Sequence, residues 1–576
     1  MIIKQKAIFR SCILIRISML VLVVACAACS NNGMYIINEE DDINEIEIID
    51  GVKCSELGMI PNDETQGGKN RNILIDALRN GTNILVDDKY YLAGLGDSAP
   101  VDSDIVIVGI TDNAEFSFNE SSMTQSNFIK VQSSNFLMRK VKLTSMKNEP
   151  VYAFMLSGAH KMKTFAFEKC YFEGPIRLVS WGFSTNFLDP DVYDFGIDSF
   201  KFIDNICRNN SKMLLVLNDV IIKHSQVLRN DIRNFSQIVY TNAVSPGNNM
   251  MRKYSPKMEY LEVKNNKVIN DDLWDGNELG ADYVPTYHCF IFFEGNKCEY
   301  MNNHIEGLHI FDQHTLVYDS YLSCINLIYE NNFWKNNILF ETDENILTGR
   351  QLMKSKGAAY VNDSYKNIKR VYRNNEYIIE KSYATRLGRN PDELWVRIIE
   401  FDYDVESVVL ENNKIDVYCI RLNSGDVKTH NYTFSNNDIH AVKTYNKKNN
   451  SVLSISILTK DNIPGNYIAE NNKITIDEAS EIAPGYNSLV SYTVSNGESA
   501  FANVVFKNNY VKWPDLNRIV FSGYNVVGGA DGLNISVKNN TVMSDNKPTK
   551  TGGIQSGTID LSGNNFSYTS GGTYNY

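Results

Sequence analysis

The chain has 576 residues, of which 56 are Lys or Arg and 68 are Asp or Glu, giving a formal net charge of −12. Its composition, 43% hydrophobic and 22% charged, is that of a globular protein and excludes a disordered chain or a multi-span membrane protein. The acidic balance argues against nucleic acid as a partner, because phosphate binding needs clustered Lys and Arg.

Residues 1–25 have the pattern of an export signal. The apolar run 17–25 is much shorter than the about 18 residues needed to cross a bilayer. The basic residues Lys4, Lys6, Arg10 and Arg16 precede it. The segment Val23-Val24-Ala25-Cys26 resembles the lipobox of bacterial lipoproteins. The resemblance implies cleavage before Cys26, lipidation of Cys26 and export to the cell envelope, with the outer membrane as the expected location. An ordinary cleaved secretory signal is the alternative.

Two segments separate this signal from the rest of the chain. Residues 26–50 are rich in Glu and Asp and are predicted to be an acidic tether, because charged linkers extend by self-repulsion. Residues 51–100 are predicted to form an amino-terminal cap and a first strand. Apolar spacing over 70–79 predicts a helix that stops at Gly81, and the strand begins at 84–86.

From residue 101 onward one short unit recurs: apolar, any, apolar, any, any, Asn, any, apolar. A clear copy is Leu261-Glu-Val263-Lys-Asn-Asn266-Lys-Val268. The key position, at which Val and Cys replace Asn in the first two copies, falls at 141, 170, 205, 266, 303, 332, 375, 413, 437, 472, 509, 540 and 564. The interval of 61 residues between 205 and 266 predicts one further, degenerate copy.

The unit predicts two short strands joined by a tight bend. Alternation before the Asn indicates a strand with one buried face, and the change of parity after it indicates the bend. Asn tolerates the left-handed backbone of such a bend, and a column of inward Asn can hydrogen-bond from coil to coil. No unit can bury its own apolar face, so the units must stack into an all-β solenoid over 101–576. A β-propeller is disfavoured, because the shortest intervals of 24 residues leave no room for four strands.

These repeats resemble those of the pectin-lyase-like superfamily, over roughly residues 58–570. The front of the chain, beginning at Gly58-Met-Ile-Pro-Asn62-Asp63, is similar to the amino-terminal cap of polygalacturonases and pectate lyases. The resemblance implies a single-stranded right-handed parallel β-helix with an N-terminal capping helix. It also implies a polysaccharide as partner, although the superfamily includes phage tailspikes and adhesins as well as enzymes. The Asn-Thr-Asp, Gly-His-Gly and Arg-x-Lys signatures of the polygalacturonases are absent.

The repeat phase places Glu262 and Glu299 in the same outward slot of successive coils, about 5 Å apart. Two carboxylates at that separation raise one pKa, and the spacing is close to the roughly 5–5.5 Å of a retaining glycosidase pair. The alternatives are that the two carboxylates share a calcium ion, or that they form a solvated strand face beside Lys264. No other cofactor is required.

Lys267 and His304 occupy the slot after the Asn in the same two coils, and His309, close by in the sequence, is predicted to bind substrate. Four of the eight His fall within 288–314, so this region is predicted to supply a general base or acid. The same pattern also fits a solvated face.

Two insertions are predicted to be aromatic and acidic loops that roof the site. Residues 180–198 and 270–288 supply the predicted substrate-binding side chains Trp181, Asp189, Asp271, Asp272, Trp274 and Asp275. Aromatic faces beside carboxylates suit sugar rings, and loops on a rigid scaffold commonly carry function. Packing of the loops against the coil wall is the alternative.

Two functions therefore stay open. The first is polysaccharide cleavage by hydrolysis or β-elimination, as a lyase or glycoside hydrolase, with Glu262, Glu299, Lys267 and His304 as catalytic residues. The second is non-catalytic glycan binding or adhesion, which the missing signatures favour. The sequence leaves the oligomeric state open. Cysteines 29, 54, 170, 207, 289, 298, 324 and 419 are predicted to be buried free thiols, because their spacing shows no zinc or disulfide pattern.

Overall fold

The computed structural model divides the chain into two units, Met1–Ile49 and Asp50–Tyr576. It describes residues 50–576 apart from 94–98, 120–127, 146–150, 157–160, 182–195, 217–220, 241–257, 271–288, 293–294, 308, 311–325, 337, 340–349, 356–368, 387–394, 402–404, 423–428, 446–448, 458–464, 480–485, 495–500, 523–531, 553–557, 570–571 and 575–576. The predicted signal, Cys26 and nearly all of the tether lie outside these residues and stay predictions. No helix within the described ranges is long and apolar enough to cross a membrane.

The first sheet holds one strand from every coil. Its 17 strands follow one another in chain order, each parallel to the next. They are Val52–Lys53, Ile84–Val86, Ile105–Gly109, Asn135–Arg139, Lys161–Glu168, Gly196–Ile203, Ile221–Leu228, Met258–Lys264, Gly295–Met301, Asn326–Glu330, Lys369–Arg373, Val405–Glu411, Thr429–Ser435, Gly465–Glu470, Phe501–Lys507, Gly532–Lys538 and Thr558–Asp560.

The second sheet holds the strands that follow the bend and, in most coils, those on the third side as well. Its 24 strands are Lys89–Leu92, Ala99–Val101, Glu115–Phe118, Ile129–Val131, Lys142–Ser145, Val151–Leu156, Tyr171–Glu173, Ile176–Trp181, Ile206–Val216, Asp231–Tyr240, Lys267–Ile269, Cys289–Phe292, His304–Glu306, Phe333–Lys335, Arg350–Ser355, Glu376–Ile379, Trp395–Phe401, Lys414–Arg421, Asp438–Thr444, Lys473–Ile476, Tyr510–Lys512, Thr541–Ser544, Asn565–Tyr568 and Gly572–Tyr574. A further sheet of four, Asn450–Ile457, Asn487–Val494, Arg518–Ser522 and Thr549–Gly552, forms the third side of the last coils, and His309–Ile310 pairs with Ile338–Leu339. Only the final pair, 565–568 with 572–574, is antiparallel among the described strand pairs. The predicted fold class, an all-β parallel β-helix, is confirmed.

Each bend begins with a residue in the left-handed region. From Asn265 to Asn539 this residue is Asn in nine coils, and in the four earlier coils it is Lys140, Lys169, Asp204 or Arg229, with φ of 54–58° throughout. The prediction gave this conformation to the key Asn, but it belongs to the residue before. The key residue must instead direct its side chain inward, where it is buried.

The buried asparagines form the inner ladder: Asn205, Asn230, Asn266, Asn303, Asn332, Asn375, Asn413, Asn437, Asn472, Asn509, Asn540 and Asn564. Each side-chain amide donates to the Oδ1 of the next Asn at 2.8–3.2 Å. The degenerate copy predicted in the 61-residue interval is the one at Asn230, where Ser225 replaces the first apolar residue. Val141 and Cys170 extend the column as buried substitutes, and the Cys170 backbone N–H donates to Asn205 Oδ1 at 2.9 Å.

The interior contains two hydrophobic clusters in succession. The first runs from Cys54 to Ile305, and the second from Tyr372 to Phe566. Half-buried Tyr329 and Trp334 pack against both clusters. The ring of Tyr329 lies 5.4 Å from that of Tyr372, so stacked aromatic rings carry the core across this coil.

A helix, Gly67–Arg79, covers the amino-terminal end. It begins three residues before the predicted start, since Gly67 and Gly68 give no helical signal. Leu74 and Leu78 are fully buried. Gly81 ends the helix with a φ of 72°, as predicted. A second helix, Lys381–Arg386, lies within one coil, between the strands Glu376–Ile379 and Trp395–Phe401.

Five cysteines lie in the part of the chain whose side chains the structure describes, and all are free and buried: Cys54, Cys170, Cys207, Cys298 and Cys419. The prediction of buried thiols is confirmed for these five. Burial raises the pKa of the Cys170 thiol to about 12, so this group is an unreactive core residue.

Candidate functional site

Three neighbouring strands of the first sheet carry the candidate site on their outer face: Ile221–Leu228, Met258–Lys264 and Gly295–Met301. Alternate residues point inward, and Leu261 and Val263 are fully buried. The residues between them point outward. We call the outward set the outer charged cluster: His224, Gln226, Tyr260, Glu262, Lys264, Lys297 and Glu299.

Strand register brings these side chains together. Glu262 pairs directly with Glu299, as the sequence predicted, and Tyr260 pairs with Lys297. In the preceding coil His224 pairs with Tyr260. Lys264 Nζ lies 2.7 Å from Glu262 Oε1 and 2.7 Å from Glu299 Oε2, so one cation bridges the two carboxylates.

The remaining carboxylate oxygens also have partners. His224 Nε2 lies 2.7 Å from Glu262 Oε2, which also accepts from Gln226 at 3.1 Å. On Glu299, Oε1 lies 2.7 Å from Lys297 Nζ, and Oε2 accepts from the Tyr260 hydroxyl at 2.8 Å.

The two rings of the cluster are stacked. His224 lies over Tyr260 with 5.0 Å between ring centroids and an angle of 5° between the planes. Lys297 Nζ lies 4.5 Å from the centre of the Tyr260 ring, a cation–π distance. The rings and the ion pairs therefore form one rigid polar surface.

The electrostatics of the cluster keep both carboxylates ionised. Burial acts to raise the pKa of Glu299, but hydrogen bonds from Lys264, Lys297 and Tyr260 outweigh it and hold the pKa at about 2. The pKa of Glu262 is also lowered, because its bonds to Lys264, His224 and Gln226 outweigh burial. The expectation that one of the two carboxylates has a raised pKa is wrong, because Lys264 neutralises their mutual repulsion.

Lys267 and His304 lie on the second sheet, beyond the bend that separates it from Glu262 and Glu299. They pair with each other in register, as predicted. His304 Nε2 lies 2.6 Å from Glu306 Oε1, and its ring lies 4.7 Å from that of Phe333. The hydrogen bond to His304 lowers the pKa of Glu306. The four predicted catalytic residues thus occupy two different faces, and their catalytic roles stay predictions.

The predicted substrate-binding residues lie mostly outside the described residues: Asp189, Asp271, Asp272, Trp274 and Asp275. Trp181 ends the strand Ile176–Trp181, and His309 begins a two-residue strand, with neither side chain described. Strands also occupy 180–181 and 196–198, so the first predicted loop is shorter than expected. Asn270 is structural, because its side chain accepts from the Phe235 N–H at 3.0 Å and donates to Phe235 O at 3.1 Å.

Within the described ranges no group of three or more His, Cys, Asp or Glu could hold a metal ion. The predicted calcium site at Glu262 and Glu299 stays a prediction, and in this structure their oxygens face Lys264, Lys297 and the other partners named above. A shallow groove of about 240 Å³ near the carboxyl-terminal coils lies between Lys512, Met543, Asp545 and Tyr568. It lies far along the chain from the outer charged cluster.

Sequence reasoning missed His224, Gln226, Tyr260 and Lys297. A signal for them existed, because Gln226 stands four residues before Asn230 as Glu262 stands four before Asn266. Because the degenerate copy at Asn230 was not located, the sequence did not align the strand of His224 and Gln226 with that of Glu262.

Comparison with known proteins gives no match: no family model, no curated protein and no solved structure is significantly similar to this chain.

Proposed function

We propose that the protein is an exported, lipid-anchored β-helix of the pectin-lyase-like kind that binds a polysaccharide through the outer charged cluster. The lipobox pattern at Cys26 supports the anchor, and the stacked coils support the architecture. In this proposal the solenoid presents its first sheet to a glycan of the cell envelope or its surroundings, with the outer membrane as the expected location.

The observation that carries the proposal is the composition of the cluster. It combines carboxylate acceptors, ammonium and amide donors and a phenol, all fixed by mutual hydrogen bonds. Sugar hydroxyls both donate and accept hydrogen bonds, so a rigid surface offering both kinds of group suits them. The two Glu and the two Lys cancel in charge, which favours a neutral or mixed glycan over a polyanion.

A second candidate, β-elimination, is favoured by the contact between His224 and Glu262. His224 Nε2 lies 2.7 Å from Glu262 Oε2, and a neutral ring that donates to this carboxylate from Nε2 carries its lone pair on Nδ1. That nitrogen is the proton acceptor that a lyase needs. Hydrolysis by the carboxylate pair has less support, since a retaining glycosidase needs one protonated acid and both pKa values are lowered.

The test uses the purified full chain against a panel of polysaccharides, with and without calcium. It measures binding by isothermal calorimetry, reducing ends, and the ultraviolet absorbance of unsaturated products. We expect one polysaccharide to bind without turnover, and the double variant Glu262→Gln, Glu299→Gln to weaken that binding at least tenfold. Undiminished binding by the double variant would sink the proposal. Unsaturated products that disappear in His224→Ala would establish the second candidate instead.

Lys473→Met is the matched control, because Lys473 lies on the second sheet, is exposed and is not one of the predicted catalytic or binding residues. The anchor is tested separately with Cys26→Ala, which should move the protein from the membrane fraction to the soluble fraction after cell breakage. Membrane retention of this variant would argue for a mode of attachment other than the lipid.

A further inference from the structure

The outer face of the first sheet carries a second ordered column, about four coils beyond the outer charged cluster. We call it the outer asparagine strip: Asn431, Asn466, Asn503, Asn534 and Thr558. These residues pair directly with one another in five successive strands. All five are exposed, whereas their neighbours in the chain, such as Tyr467 and Val504, are buried.

The amide–amide contacts within the strip are long, whereas the Thr558 hydroxyl donates to Asn534 Oδ1 at 2.8 Å. The Asn466, Asn503 and Asn534 amides each donate to the preceding Asn at 3.3–3.4 Å, against 2.8–3.2 Å in the inner ladder. Bonds at the long end of the range contribute little to stability. Each of these three amides uses one N–H and one oxygen lone pair in the column, which leaves one N–H and one lone pair facing outward.

Asparagine is also a poor choice for an exposed strand position. Asn is depleted in strands, where Thr and Val are enriched. By propensity alone, four Asn in register are less favourable than β-branched residues. Strand propensity therefore does not account for the strip.

The surroundings of the strip are neutral. Two residues further along the same strands lie Thr433, Ile468, Val505 and Ser536, which are uncharged and half-buried. On the fifth strand Asp560 occupies the same position, in register with Ser536, and is bonded to Lys538. Beyond this band, Lys507 Nζ lies 2.8 Å from Glu470 Oε2. The strip is thus an uncharged band of amides beside an apolar and hydroxyl-bearing band.

We propose that the outer asparagine strip binds a linear, neutral polysaccharide that lies along the solenoid axis, about one sugar per coil. Coils repeat at about 4.8 Å, so the remaining N–H and lone pair of Asn466, Asn503 and Asn534 form a row of donor and acceptor pairs at a spacing close to the rise of an extended β-linked glycan. The amides bond to hydroxyls, and Ile468 and Val505 contact the C–H face of the sugars. The proposal rests on the proposed function, in that it takes the ligand to be a glycan, but it assigns a different set of residues.

The test uses the full chain with hydroxyethylcellulose, laminarin, galactomannan and xylan as neutral probes and polygalacturonate as the anionic comparison. The variant is Asn466→Thr with Asn503→Thr. We expect at least tenfold weaker binding of the neutral probe that the wild type binds, together with an unchanged or higher midpoint of urea unfolding, because Thr is the better strand residue. A lower midpoint with unchanged binding would mean that the strip is structural, and would overturn the proposal.

Two further variants separate this proposal from the proposed function. Lys473→Thr changes an exposed side chain of the second sheet in the same coil as Asn466 and should leave binding unchanged. The cluster variant Glu262→Gln, Glu299→Gln is measured in parallel. If only the cluster variant loses binding, the strip proposal fails and the proposed function stands. If only the strip variant loses binding, the strip proposal stands and the cluster is not the surface that binds the glycan. Binding of polygalacturonate alone, or of no probe, overturns the strip proposal.

Discussion

The described residues include one asparagine column inside the coils and one on the outer face of the first sheet, and the same side chain behaves differently in the two. In the inner ladder Asn303 donates from Nδ2 to Val263 O and to Asn332 Oδ1, and its Oδ1 accepts from the N–H and the amide of Asn266. In the outer asparagine strip Asn503 makes one bond in each direction, at 3.3 and 3.4 Å.

The difference follows from the solvent. A buried amide has no water to bond, so an unmet donor or acceptor inside costs about 1–3 kcal/mol, and the inner ladder meets all four. An exposed amide bonds water at little cost and can exchange that water for a ligand. Among the buried asparagines full satisfaction therefore indicates a structural column, and among the exposed asparagines spare donors and acceptors indicate a recognition surface.

The largest effect should come from breaking the inner ladder. Asn303→Ala leaves the Asn266 N–H and amide and the Val263 carbonyl without their partner, so we expect a loss of about 3 kcal/mol or more in the free energy of unfolding. Urea unfolding followed by circular dichroism measures it. The matched control is Asn503→Ala in the strip, which should change stability by less than about 0.5 kcal/mol. Equal losses in the two variants would refute the distinction between the columns.

The outer charged cluster should show an intermediate effect. Lys264→Met removes the cation shared by Glu262 and Glu299, and we expect a loss of about 1 kcal/mol near pH 7. The pKa of Glu299 is lowered from 4.5 to about 2, so its contribution is fully present above about pH 4.5 and is lost as the pH falls toward 2. The variant should therefore lose less stability than the wild type between pH 4.5 and 2. Parallel curves of stability against pH for the two proteins would contradict the bridging role of Lys264. Lys473→Met serves as the control.

A smaller change, a gain in the free energy of unfolding, is expected from a substitution at the bend that precedes the inner ladder. Lys140 holds a φ of 55°, where nine later coils have Asn. Asn adopts this conformation at lower cost, so Lys140→Asn should stabilise the protein by about 0.5 kcal/mol. Thermal unfolding measures the gain. The reverse change, Asn265→Lys, should lower the stability by a similar amount. Destabilisation by Lys140→Asn would contradict the claim that Asn suits this left-handed position better than Lys.

The smallest effect concerns an exposed pair of bonds on the second sheet. His440 lies 2.9 Å from both Asp416 and Asp477. Burial acts to lower its pKa, but these two carboxylates raise it above 6.5. Its contribution is thus present below about pH 6.5 and is lost as the pH rises through the folded pKa. With His440 41% exposed, we expect a few tenths of a kcal/mol. The difference between the unfolding midpoints at about pH 6 and pH 9 should be smaller in His440→Gln than in the wild type. An unchanged difference would contradict a stabilising role for protonated His440.

Periodicity was enough to predict the stacking, because a strict strand–bend–strand unit allows only one way to bury its apolar face. It placed Asn375 and Asn564 correctly even though their copies are weak. It did not locate Asn230, because buried Ser225 stands where an apolar residue was expected.

The candidate site was only partly predictable for a related reason. The pairing of Glu262 with Glu299 follows from phase alone, whereas the low pKa of Glu299 depends on where the Lys264 and Lys297 side chains reach. The outer asparagine strip was visible in the sequence, since each member lies six residues before a ladder Asn. Only the structure shows that its members are exposed, and this exposure distinguishes a recognition surface from a structural column.

Because every coil adds one strand to the first sheet, the number of coils between two surfaces sets the distance between them. Four strand steps separate Gly295–Met301, which carries Glu299, from Thr429–Ser435, which carries Asn431. At about 4.8 Å per step the two surfaces stand about 19 Å apart. Gain or loss of one coil would change that distance by a single fixed increment and leave each surface intact. The reach between the two surfaces is therefore set by a whole number of coils, and the length of the loops does not affect it.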